Sequence, residues 1–99
     1  MYKVNFSSEV FATVLSELRS KIKDRNEWRL SRVEEVEFAT LEVWQDVVQT
    51  LEQNPFTYPE YSKGIYLAIE LYLPFILAYI IRDNEVYVFE AILREQLYN

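Results

Sequence analysis

The sequence predicts an α+β domain of order β-α-α-β-β-β, an antiparallel-dominated sheet packed on an N-terminal helical hairpin. Three observations predict it. Tyr2, Val4 and Phe6 alternate with Lys3 and Asn5, which is the period of a half-buried strand. Two long stretches then carry apolar residues at helical spacing. After Gly64 the pattern changes to runs rich in β-branched and aromatic residues, separated by short turns.

Ser7 and Ser8 offer an N-cap for the first helix, and Glu9 complements its dipole. Val10, Phe11, Val14, Leu15, Leu18 and Ile22 follow as one apolar stripe on a helix of about four turns. Asp24-Arg25-Asn26 breaks it. Asn26 or Ser31 caps the second helix, Ser31 having Glu34 three residues on as in a capping box. The second stripe comprises Val33, Val36, Leu41, Trp44, Val48 and Leu51, with Phe38 and Val47 widening or departing from it. Asn54-Pro55 stops the helix, because proline disfavours a helical residue before it. The segment from Asn54 to Lys63 holds Pro55 and Pro59 and reads as a loop. Strands are predicted at Ile65 to Leu71, Phe75 to Arg82 and Glu85 to Leu93, with turns at Tyr72-Leu73-Pro74 and Asp83-Asn84. The first strand is expected to join the sheet beside a C-terminal strand.

The chain has 99 residues, 10 Lys+Arg against 16 Asp+Glu, no His and no Cys. The length suits one domain around one core, residues 1–99. Apolar residues make up 51%, too rich for a disordered chain. A net charge of −6 argues against direct nucleic-acid binding, which draws on clustered cations and counterion release. Without Cys or His there is no disulfide, no zinc or haem site of the usual ligands, no thiol nucleophile and no imidazole base. No metal or other cofactor is expected. Glu34, Glu35 and Glu37 have cation-binding spacing, but no glycine-turn loop accompanies them, which favours a solvated face. Glu70 and Glu90 stand inside apolar runs and read as exposed-face residues of the sheet, not as an acid/base pair. The N-terminus is too short and polar for a signal-peptide apolar region, so a cytoplasmic protein is expected. Ile65 to Ile81 is nearly all apolar but holds only 17 residues and is interrupted by Glu70 and Pro74. It reads as buried strands, and no membrane association is expected.

The C-terminal half carries Leu51-Glu52-Gln53-Asn54-Pro55, Tyr58-Pro59-Glu60-Tyr61 and Gly64-Ile65. Pro74-Phe75-Ile76-Leu77-Ala78-Tyr79-Ile80-Ile81 follows, then Asp83-Asn84-Glu85-Val86-Tyr87-Val88. With the element order, these residues resemble the RelE/ParE superfamily of type II toxin–antitoxin toxins, whose pattern runs L…NP…G-I-R…P-Y-x-I-x-Y…D-x-x-V-x-V. The resemblance spans most of the chain on short motifs. The basic positions differ. Tyr66, Ile76 and Ile80 stand where members commonly carry Arg, and Glu90 opens the last-strand motif in place of another Arg. Messenger-RNA cleavage as in the RelE branch uses such cations with a Tyr on the sheet, so ribosome-dependent endoribonuclease activity is disfavoured. Tyr87 and Arg94 alone do not rebuild it.

The ParE branch is the better match, with a two-helix hairpin before the sheet. The resemblance then implies a toxin component of a plasmid-stabilising toxin–antitoxin system. It would bind a protein target such as DNA gyrase with no catalytic residue of its own, and a cognate antitoxin would neutralise it. Such toxins are usually basic. The acidic balance and replaced cations keep open a second class, a non-toxic, degenerate interaction or scaffold domain.

Two candidate binding surfaces follow. Arg19, Lys21, Lys23, Arg25, Arg29 and Arg32 supply six of the ten cations within the helix–helix turn region, while Val33 to Ser62 has none. Arg19, Lys23, Arg25, Arg29 and Arg32 are thus candidates for docking an acidic partner, or they form a solvated tip, as charge runs usually do. In the third predicted strand Phe75, Leu77, Tyr79 and Ile81 point toward the helices, and Ile76, Ala78, Ile80 and Arg82 point outward. Tyr66, Ala68 and Tyr72 are expected to share the outward face. That face binds an antitoxin segment or a second copy of the chain, or the tail with Leu93, Leu97 and Tyr98 folds over it. The residues singled out there are Tyr66, Tyr72, Ile76, Ile80 and Arg82.

Overall fold

A computed structural model describes residues 1–23, 30–70 and 73–94, excepting the side chains of residues 20–23 and 30–41. Chain order runs β1 (Lys3–Phe6), α1 (Ser8–Lys23), α2 (Leu30–Gln53), a 3-10 turn (Pro55–Thr57), β2 (Glu60–Ser62), β3 (Ile65–Ala68), β4 (Phe75–Arg82) and β5 (Glu85–Leu93). The strands form one five-stranded sheet in the order β1-β5-β4-β3-β2. β1 runs parallel to β5, and the other neighbours are antiparallel. The α+β class and the place of the first strand beside a C-terminal strand are as expected. The sheet has one strand more than expected, because Glu60–Ser62 pairs with β3. All three of its residues are exposed, so it carries no apolar alternation to betray it.

Local chemistry sets the ends of the elements. Ser7 caps α1, its Oγ accepting the Val10 N–H at 3.2 Å. α2 ends at Gln53, ahead of Asn54-Pro55. Its start differs from expectation, since the backbone is already helical at Leu30 and Ser31 cannot be its cap. Asn26 lies outside the described residues. Between β4 and β5, Asp83 and Asn84 both have positive φ (51° and 62°), the two-residue turn whose twist matches a hairpin. Gly64 (φ 83°) turns β2 into β3, and its N–H donates to Glu60 Oε1 at 3.0 Å.

Both helices contribute to a core on one face of the sheet. Val10, Val14 and Leu18 of α1 and Val47 and Leu51 of α2 meet Ala68, Phe75, Leu77, Tyr79, Val86 and Val88. Two details of the expected stripes are corrected. Phe11 and Leu15 are exposed, at 54% and 37%, because α1 seats its i, i+4, i+8 line of Val10, Val14 and Leu18 on the sheet. In α2 it is Val47 that is buried, one residue before the expected Val48, with Val43 and Trp44 packing beside it. Trp44 bridges the sheet by ring contacts to Phe6 and Phe75, at 5.8 and 5.9 Å between centroids.

A bulge in β5 changes the facing of its second half. Ala78 pairs with Glu90 but Tyr79 pairs with Val88, leaving Phe89 as the additional residue. Val86 and Val88 point to the helices before the bulge, and Ala91 and Leu93 rejoin the core after it.

Candidate partner-binding surface

The sheet has two unequal faces. On β4, Phe75, Leu77 and Tyr79 are fully buried beneath the helices, as their alternation predicts. The alternate residues Ile76, Ala78, Ile80 and Arg82 lie on the other face, away from the core that the described α1 and α2 side chains build. Pairing extends this face to Leu67 on β3 and to Glu85, Tyr87, Glu90 and Ile92 on β5. Lys3 and Asn5 of β1 join it beside Glu85 and Tyr87. Leu67, Ile80 and Ile92 are half-buried there and Tyr87 and Phe89 are 37% and 45% exposed, with the exposed Glu90 standing among them opposite Ala78.

Two of the five singled-out sheet residues contribute to this surface. Ile80 is half-exposed near the β4–β5 turn, and Arg82 is exposed at the strand end opposite Glu85. Ile76 and Ala78 lie on this side of β4 but are only 8% and 3% exposed, so they offer little area. The outward placement of Tyr66 and Ala68 is corrected. β3 pairs Tyr66 with Tyr79 and Ala68 with Leu77, and both therefore face the helices. Tyr72 lies outside the described residues. Leu93 pairs with Phe75 and packs on the helix side, so it does not cover the open face. Leu97 and Tyr98 lie outside the described residues.

The polar end of the open face is built by side chains of β1 and β5. Tyr87 donates its hydroxyl proton to Glu85 Oε2 at 2.8 Å, and Asn5 Nδ2 donates to Glu85 Oε1 at 3.4 Å and to the Val86 carbonyl at 3.3 Å. These bonds hold the Glu85 carboxyl below its ordinary range, the Tyr87 hydroxyl contributing most, then Asn5, with Lys3 adding attraction. The same bond, with partial burial, pushes the Tyr87 phenol up. A phenol so placed keeps its proton, the reverse of what activates one as a base or nucleophile.

The basic stretch is only partly described. Arg19 is exposed near the end of α1. Lys23 and Arg32 lie on helical backbone with side chains outside the description, and Arg25 and Arg29 lie outside it altogether.

The two carboxylates within apolar runs are not brought together as a pair. Glu90 is exposed on the open face. Glu70 lies just beyond β3, half-buried, where its Oε1 accepts the Tyr58 hydroxyl at 2.9 Å and its carbonyl accepts Arg94 Nη2. Burial first, then that bond, drives the Tyr58 phenol far above its usual range. Tyr79 donates to the Pro55 carbonyl at 2.5 Å and is likewise raised, chiefly by burial and then by Tyr66. These tyrosines join strand to loop and are spent on structure. Among the described residues no cluster of carboxylates has metal-holding geometry, and no helix is long and apolar enough to cross a membrane.

Several exposed apolar residues escaped sequence reasoning. Phe11 and Leu15 fit the buried stripe by period, and Phe56 sits in a segment read as loop. Phe89 would have been found only from the register break at Ala78/Tyr79. No family model matches the chain, and no curated protein matches it.

Proposed function

We propose that this chain is a protein-binding domain, a ParE-like toxin component of a type II toxin–antitoxin system. It acts on a cytoplasmic protein target such as DNA gyrase, and a cognate antitoxin neutralises it. The observation that carries the binding role is the sheet face turned away from the helical core, where Leu67, Ile80, Tyr87, Phe89 and Ile92 leave partly exposed apolar area around Glu90. Contiguous exposed apolar residues on a sheet face are a mark of interaction sites. The narrower ParE-like reading is supported by the short motifs of the C-terminal half and by two helices preceding a sheet in which β1 lies beside β5. The Tyr87–Glu85 bond supports binding over nuclease chemistry, since it leaves the one open-face phenol near the hairpin protonated and occupied.

The test is induction of the chain alone in a bacterial host, with growth, cell shape and the amount of folded protein followed together. Arrest with filamentation, lost on Ile80→Asp while the protein stays folded, is the expected result. Unchanged growth with folded protein present overturns the toxin reading. It transfers weight to a second reading, a non-toxic interaction domain of the same fold. The net charge of −6, and Tyr66, Ile76, Ile80 and Glu90 at positions where cations are common in the family, favour that second reading. A stable homo-oligomer without toxicity would then be expected by sedimentation.

A further inference from the structure

A second surface lies on the opposite side of the sheet, where the helices leave the β2–β3 end uncovered. Phe56 projects from the 3-10 turn at 55% exposure. Its ring stands edge-on to Tyr2, with centroids 6.3 Å apart, and to Tyr66, at 5.9 Å. Tyr66 in turn stacks on the buried Tyr79 at 5.6 Å and 19°. The row therefore ends at the surface on a ring supported from below, with Tyr66 half-exposed beside it.

Carboxylates flank it on two sides, with Lys63 the cation of the adjoining β2–β3 turn. Glu60 pairs with Tyr66 across β2–β3, on the same face. Desolvation first, and then Glu60, raises the Tyr66 phenol above its ordinary range. Glu52 adjoins Tyr2, whose N–H donates to the Glu52 carbonyl at 2.7 Å. The stretch from Val33 to Ser62 that supplies Glu52, Phe56 and Glu60 has no Lys or Arg at all. Exposed aromatic faces rimmed by carboxylates attract arginine and lysine, through the ring quadrupole and through charge pairing. They repel phosphate, which rules against nucleic acid as the occupant.

We propose that Phe56, Tyr66 and Glu60 form a docking site for a basic peptide segment of a partner protein, an arginine side chain lying against the Phe56 and Tyr66 rings and pairing with Glu60. The site is independent of the open sheet face and stands whether or not the chain is a toxin.

The probe is a blocked peptide of alternating arginine and leucine, titrated calorimetrically into the intact protein beside its glutamate counterpart and a single-stranded oligonucleotide. Saturable, salt-sensitive binding of the arginine peptide alone is expected. Phe56→Leu keeps the apolar volume and removes the ring, and it should weaken binding about tenfold. Glu60→Gln should weaken it about threefold. Circular dichroism confirms that both variants are folded, and Ile80→Asp on the other face should leave the affinity unchanged. Equal binding of the glutamate peptide, preference for the oligonucleotide, absence of binding to the arginine peptide, or arginine-peptide binding indifferent to both variants each overturns the proposal.

Discussion

The two faces of β4 are built from adjacent residues of one strand, yet they do different work. Phe75, Leu77 and Tyr79 are completely buried on the helix side, whereas on the opposite side Ile76 and Ala78 keep 8% and 3% exposure, Ile80 is half-exposed and Arg82 exposed. Both faces are apolar, so hydrophobicity does not distinguish them. The difference comes from what packs above each face. Apolar area on the covered side is removed from water by folding itself, whereas what stays exposed on the open side would be removed only by a partner of the kind proposed.

The comparison is tested most severely by truncating one residue on each face. Leu77→Ala should destabilise by about 3 kcal/mol, through lost burial plus a residual cavity, measured by chemical denaturation. Ile80→Ala should cost only about 1 kcal/mol. Similar losses at both sites would show that the open face is covered after all. Next come the tyrosines. Tyr79→Phe orphans the buried Pro55 carbonyl and should cost about 1–2 kcal/mol, whereas Tyr87→Phe at the exposed end should change stability by about 0.5 kcal/mol or less. The turn that sets the β4–β5 register is a third point of attack. Asn84 holds a left-handed conformation, and Asn84→Ala should cost about 1 kcal/mol while leaving the assignment of faces intact.

Titration sharpens the same contrast. Tyr58 and Tyr79 have native pKa values raised above the ordinary 10.0, so the folded protein holds their protons longer than the unfolded chain does. Their contribution to stability is complete below that value and is lost as pH rises beyond it through the higher native values. Denaturation midpoints should fall in alkali, and phenolate absorbance should appear late for these two groups. Glu85 behaves oppositely, its native pKa lying below the ordinary 4.5. Its contribution is present above that value and disappears as pH falls through the native one. This is the smallest effect, because Glu85 is exposed to screening solvent, and comparison of denaturation with Glu85→Gln in acid isolates it.

Much of the local structure could be read from side-chain chemistry alone. Ser7 capped the first helix, Asn54-Pro55 ended the second, and Asp83-Asn84 made the two-residue turn. The alternation of Phe75, Leu77 and Tyr79 placed the buried side of β4 correctly. Each of these rests on backbone sterics or a hydrogen bond spanning a few residues, so neighbouring sequence suffices. The candidate surface was less legible. Ile80 and Arg82 were found by alternation, but Tyr66 was assigned to the wrong side, because the facing of β3 is set by its pairing with Tyr79 and not by its own pattern. The Glu60–Ser62 strand has no apolar period and exists through its partner.

By itself the sequence determined an α+β chain with two amphipathic helices and a C-terminal hairpin, because period, caps and turns are local. It also settled the one-sided charge, since counting needs no fold. Only the tertiary structure decided that Val10, Val14 and Leu18 face the sheet while Phe11 and Leu15 face water. A helix with a broad apolar stripe can be rolled either way until a sheet selects one side. Only it decided that Phe89 interrupts β5, a register break that arises between two strands and not within one. The aromatic row from Tyr79 to Phe56 belongs to the same class, for it joins residues far apart in the chain that meet only when the sheet and the 3-10 turn pack together.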